Sequence, residues 1–144
     1  MRLTVEQAGG SISDAALGEA ARFTGGFPFL IQLVGYHAWR EATPRGAITR
    51  GSVRHALSSA TDDMDQMILQ TTLAELSRRD VDFLRAMTKD DDQSQIAMRL
   101  GISNANAGQY RRRLIDAGVI EAARRGWVRF ELPLLRDYLL RNPD

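Results

Sequence analysis

The sequence predicts a mainly α-helical protein, a helical bundle followed by a winged helix-turn-helix with a small β-hairpin wing. Three observations predict it. Residues up to Leu76 read as successive capped helices. Gln93 to Leu132 then reads as a short helix, a tight turn, a second helix carrying Arg111, Arg112 and Arg113, and two strands with Arg124-Arg125-Gly126 at the tip, which is the order of a winged helix. The charge divides with it. Of the 144 residues, those through Leu76 hold six arginines against eight acids, a net −2, and those from Ser77 hold thirteen bases against ten acids, a net +3. Domains are therefore expected over 1–76 and 77–144, with the basic excess on the second.

Residues 1–13, with Gly and Ser after Gln7, read as a connector. Ser13 is placed to cap a helix over residues 14–24, with Asp14 in its favourable first turn and Gly25-Gly26 stopping it. The Ala16, Ala20 and Phe23 face suits close helix packing. Pro28 fits a first helical turn, and the helix after it is apolar on most sides, from Phe29 to Trp39. Thr43-Pro44-Arg45-Gly46 breaks it. Thr49 caps the next helix, with Val53, Ala56, Leu57 and Ala60 inward, and Thr61-Asp62-Asp63 is expected to restart a further one.

Ser77 caps the first helix of the second half, with Val81, Phe83, Leu84 and Met87 inward. Ser103 caps the helix that follows the Gly101-Ile102 turn, and its core positions are Ala107, Tyr110, Leu114 and Ala117. Projection at about 100° per residue sets Ala105, Gln109, Arg112 and Asp116 opposite that core, flanked by Asn106 and Arg113, with Arg111 nearer the core edge. The return strand alternates Val128, Phe130 and Leu132 inward with Trp127, Arg129 and Glu131 outward. Trp127 reads equally as part of a contact surface or as a ring lying on the domain's own last helix. Pro133 is expected to start that helix, with Leu134, Leu135, Tyr138 and Leu139 packing back.

The residues exclude most catalysis. There is no cysteine and there are only two histidines, so Cys-ligated zinc is impossible and a His-rich metal site is not expected. His37 reads as a packed or rim histidine and His55 as a solvated one. No G-x-x-x-x-G-K-[ST], G-x-S-x-G or H-E-x-x-H occurs, and Lys89, the single lysine, lies outside any glycine-rich loop. Asp90, Asp91 and Asp92 precede a helix, where carboxylates suit the dipole without a metal. No run approaches the roughly 18 apolar residues of a membrane span, and the N-terminus lacks a signal-peptide core, so a cytoplasmic protein is expected.

Arginine forms a two-pronged contact with the edge of guanine, and Gln or Asn does so with adenine. Asn106, Gln109 and Arg112 supply those groups. Arg113, Arg124 and Arg125 are placed for phosphates, and Ser103 with its helix N-terminus adds a phosphate contact. Double-stranded DNA is the partner these residues predict. The competing class is a protein-interaction module in which the arginines only solvate the surface.

The segment Thr24 to Ala42, TGGFPFLIQLVGYHAWREA, resembles the helical lid of AAA+-related ATPases, especially the STAND-type and origin-initiator-like groups. In those families a Gly-x-Pro motif lies near the adenine of the nucleotide, and Gly26-Phe27-Pro28 matches it. A winged helix often follows the lid there, as here, so the resemblance extends over nearly the whole chain. The order of parts is more specific than the tripeptide, which also reads as a helix stop followed by a helix start. Two features depart from the family: the chain has no phosphate loop or magnesium-binding acid, and Phe29 stands where many such lids carry an arginine. The resemblance therefore implies a non-catalytic C-terminal module with no cofactor of its own. ATP and magnesium would be bound only with an ATPase core, and that core or another subunit would be the protein partner of the alternative function, a regulatory module of a nucleotide-dependent switch.

Overall fold

A computed structural model describes residues 2–7 and 9–143. Met1, Ala8 and Asp144, which fall within the expected connector and the second expected domain, lie outside the described residues. The fold is mainly helical, with a C-terminal antiparallel hairpin before the last helix. The chain forms two compact units, Met1–Asp65 and Gln66–Asp144. The 76/77 division anticipated from the sequence lies at the cap of Ser77, the first evident break after a long helical run.

In the first unit the expected connector is structured. Helix α1 (Arg2–Gln7) leads to β1 (Ser11–Ile12), which pairs in parallel with β2 (Ala47–Ile48). Between them lie α2 (Asp14–Thr24) and α3 (Pro28–Arg40), and α4 (Arg50–Met64) follows. Ser13 accepts the Ala16 N–H, and Thr49 forms a reciprocal capping box with Ser52. Gly25 ends α2 in the left-handed region at φ 55°, and Pro28 occupies the first turn of α3, where no N–H is needed. The core is rich in alanine, with Ala16, Ala20, Ala38, Ala56 and Ala60 buried beside Ile12, Val34, Ile48 and Val53. Small side chains let α2, α3 and α4 approach closely.

The helix expected to restart at Thr61 does not. The Thr61 hydroxyl donates to the Leu57 carbonyl at 2.8 Å, so α4 continues to Met64 and passes through a π-helical turn (Asp65–Leu69) into α5 (Gln70–Ala74). Thr-Asp-Asp resembles a capping sequence, but an unbroken run of backbone bonds outcompetes it.

In the second unit α6 (Arg78–Met87), α7 (Gln93–Leu100) and α8 (Asn104–Asp116) pack on one another, and β3 (Ile120–Arg124) and β4 (Trp127–Phe130) form the wing, followed by α9 (Leu135–Arg141). Phe83, Leu84, Ile96, Leu114, Ile120, Leu135 and Leu139 are buried. Two expectations fail here. Ala117 is exposed because it is the C-cap of α8, where the chain leaves the helix through Gly118 at φ 75°. Pro133 does not begin α9, because Leu134 adopts a left-handed φ of 67° and the helix starts one residue later. Leu135 and Leu139 still pack inward, with Tyr138 and Leu134 half-buried.

Gly10, the residue before β1, lies hard against Trp39 and Gly46. A Cβ there would stand 2.5 Å from the Trp39 ring and 2.6 Å from the Gly46 carbonyl oxygen. Gly10→Ala should lower the stability of this unit by about 1–3 kcal/mol, the usual cost of overpacking against backbone, read as a lower urea midpoint.

Candidate nucleic-acid interface

The candidate residues lie on α8 and the wing, and both elements are held by hydrogen bonds that their sequence supplies. Ser103 caps α8 by accepting the Asn106 N–H at 3.1 Å. Asp92 caps α7 through the Ser94 N–H, and Gly101 at φ 66° turns the chain between the two helices. The Gln93 side chain donates to the Asn104 carbonyl at 3.1 Å, while its own backbone N–H donates to the Gly126 carbonyl at 2.8 Å. A second bond, from the Val128 N–H to the Asp91 carbonyl at 2.8 Å, fastens β4 to the same loop. One short segment therefore holds the start of α8 and the turn of the wing.

The wing turns at Arg125-Gly126, with Gly126 at φ 80°, and a bulge at Ala123 shifts the register so that Arg124 faces Trp127. The Arg124 guanidinium stacks over the indole 4.0 Å from its centroid. Trp127 is half-buried. Arg129 pairs across the strands with Glu121.

The residues singled out on α8 divide into two groups. Ser103, Asn106, Gln109, Arg112 and Arg113 are all exposed, as are Arg124 and Arg125 on the wing. Gln109 and Arg112 line a depression of about 440 Å³ together with Ala105, Gly108, Arg111 and Ile115. Asn106 and Arg113 do not line it. The side chains of Asn106, Gln109, Arg112 and Arg125 make no hydrogen bond, ion pair or ring contact among the described residues. The sequence projection set Arg111 aside at the core edge; it is half-buried and lines the same depression as Arg112.

Arg113 faces elsewhere. Its Nη2 donates to Asp80 Oδ1 at 2.8 Å, and its guanidinium lies 4.7 Å from the Tyr110 ring centroid, although its side chain is 54% exposed. Asp80 is buried and is the N3 residue of the α6 capping box, accepting the Ser77 hydroxyl at 2.7 Å. Burial pushes this carboxyl up, but the hydrogen bonds from Ser77 and Arg113 outweigh it and hold it below its ordinary 3.8. The bond to Asp80 in turn raises Arg113. Projection missed Asp80 because it sits on a different helix, although Ser77-x-x-Asp80 is a visible capping signature.

Of the lid tripeptide, Gly26 has φ 84°, Phe27 is the exposed N-cap of α3 and Pro28 is its first residue. Leu17, Ala21, Thr24, Gly26 and Ile31 line a shallow apolar hollow beside it of about 260 Å³. His37 Nε2 lies 2.6 Å from Asp63 Oδ2, and His55 is exposed. Among the described residues no group of three or more His, Cys, Asp or Glu is arranged to hold a metal, and no helix is long and apolar enough to cross a membrane. Asp90 instead pairs with Arg99 at 2.6 Å.

Asp80→Ala should destabilise the second unit by about 2 kcal/mol, from the lost cap and the lost charged hydrogen bond. A carboxyl lowered by folding contributes stability above its unfolded pKa and loses it as pH falls through the folded value. The difference in unfolding free energy between wild type and Asp80→Ala should hold from pH 5 to 8 and shrink below 3.8, as measured by urea titration at each pH.

No curated protein and no solved structure gives a significant match to this chain. A family model does match, over residues 66–139, and the match begins where the second unit begins. It spans just over half of the 144 residues and takes in α6, α7, α8 and both strands of the wing. By that match the chain belongs to the family described as Domain of unknown function (DUF8462).

Proposed function

We propose that the second unit binds double-stranded DNA, with α8 entering the major groove and the wing lying on the backbone. The observation that carries this is the exposed set Gln109, Arg112 and Arg125, donors whose side chains have no partner among the described residues. Unpaired guanidinium and amide groups on one helix face and one hairpin tip suit base edges and phosphates respectively. Asn106 extends the amide set at the edge of the helix face. Ser103 adds the start of α8, and Arg124 a cation already braced on Trp127. Arg113 serves less well as a phosphate contact, because Asp80 neutralises much of its charge.

On the lid resemblance we read the chain as a non-catalytic, cytoplasmic module of an ATPase-related protein, with ATP and magnesium handled by an ATPase core. A second reading has its own support. Phe27, Phe29, Tyr36 and Trp39 are each 41% exposed or more, an unusual concentration of aromatic surface on one helix and its cap. Such a face suits docking on an ATPase core or another subunit, with DNA binding secondary or absent.

Fluorescence anisotropy with a labelled duplex across a salt series separates the two. Binding should weaken steeply with salt, the logarithm of affinity falling by about 0.9 per phosphate contact for each unit of log salt. The triple variant Arg112→Ala/Arg124→Ala/Arg125→Ala should flatten that slope by about two and lower affinity at least tenfold. No affinity at low salt, or an unchanged triple variant, would sink the DNA reading and leave the docking one.

A further inference from the structure

No hydrogen bond or ion pair among the described residues accounts for the placement of the Arg111 guanidinium. Arg111 is half-buried on α8, its Nε is buried without a hydrogen-bond partner, and its guanidinium makes no ion pair among the described residues. An arginine placed this way within a domain ordinarily finds a carboxylate or a carbonyl, as Arg113 does one residue later with Asp80. Arg111 instead lines a depression together with Gln109 and Arg112 and with three small or apolar residues, Ala105, Gly108 and Ile115. The chemistry of the depression is therefore mixed, with donors next to methyl-sized apolar surface.

Among the groups that duplex DNA presents in its major groove, one base has that combination. Thymine shows an acceptor, O4, beside a C5 methyl group, whereas guanine shows two acceptors and no methyl, and adenine and cytosine each show an amino donor. We infer that Arg111 is a base-reading residue, and that the depression on α8 seats a thymine, with O4 accepting from Arg111 and the methyl against Ala105, Gly108 and Ile115. This rests on the DNA-binding reading above and deepens it. Arg112 and Gln109, exposed residues that line the same depression, are then placed to read the neighbouring base pair.

The test is a selection from a library of duplexes with random centres, followed by anisotropy on the enriched sequence. A thymine should be fixed at one position. Replacing it with uracil, which removes only the methyl, should lower affinity about fourfold, the value of one buried methyl group. Arg111→Ala should abolish the preference at that position while leaving the neighbouring positions selected. Ala105→Leu changes an exposed helical site and fills the depression, so it should do the same in a protein that melts like wild type. An enriched site whose thymine is indifferent to uracil, to Arg111→Ala and to Ala105→Leu overturns the inference. So does salt-dependent binding with no enriched site, which would leave general DNA binding intact. Absence of duplex binding overturns both.

Discussion

The second unit depends on a buried carboxylate. Asp80 is 6% exposed, and an ionised group so enclosed is tolerated only when its oxygens are fully engaged. One oxygen closes the capping box of α6 through Ser77 and the other receives Arg113 from α8. The same side chain thereby secures the start of one helix and fixes the rotation of another about its axis. Fixing that rotation decides which of three consecutive arginines faces which way. Arg113 turns to the fold, Arg112 turns outward, and Arg111 falls on the far side of Arg112 at the edge of the depression.

The first unit follows a different logic. Its core is built from alanines and short branched side chains, and four large aromatics, Phe27, Phe29, Tyr36 and Trp39, are at the surface. Phe29, Tyr36 and Trp39 lie on the same helix as the buried Leu30, Val34 and Ala38, so α3 is apolar on two faces while only one is enclosed. With six arginines against seven acids through Asp65, a net −1, this part of the chain carries no basic excess to attract a polyanion.

Local chemistry carried much of the fold into the sequence. Ser13, Thr49, Ser77 and Ser103 all cap helices, because a hydroxyl ahead of an apolar repeat satisfies donors that nothing else reaches. The alternation from Trp127 to Leu132 was legible because its buried face repeats every second residue. The β1–β2 pair was not, since two residues per strand are too few to show a period and their partners lie 36 positions apart. The restart at Thr61 was misread because a threonine side chain bonds as well to a carbonyl behind it as to an N–H ahead. For the candidate site, projection found the exposed residues of α8. It had no means of seeing that Asp80 would take Arg113, because that partner comes from another helix.

Gln93 has a mechanical consequence. Its backbone holds the turn of the wing and its side chain holds the first residue of α8, so hairpin tip and helix share one anchor. Their spacing is set by bonds within the fold. A surface arranged in advance loses little entropy on contact. For the DNA binding proposed above, it would also select by shape, since a target whose two contact points are spaced differently could engage the helix or the wing but not both.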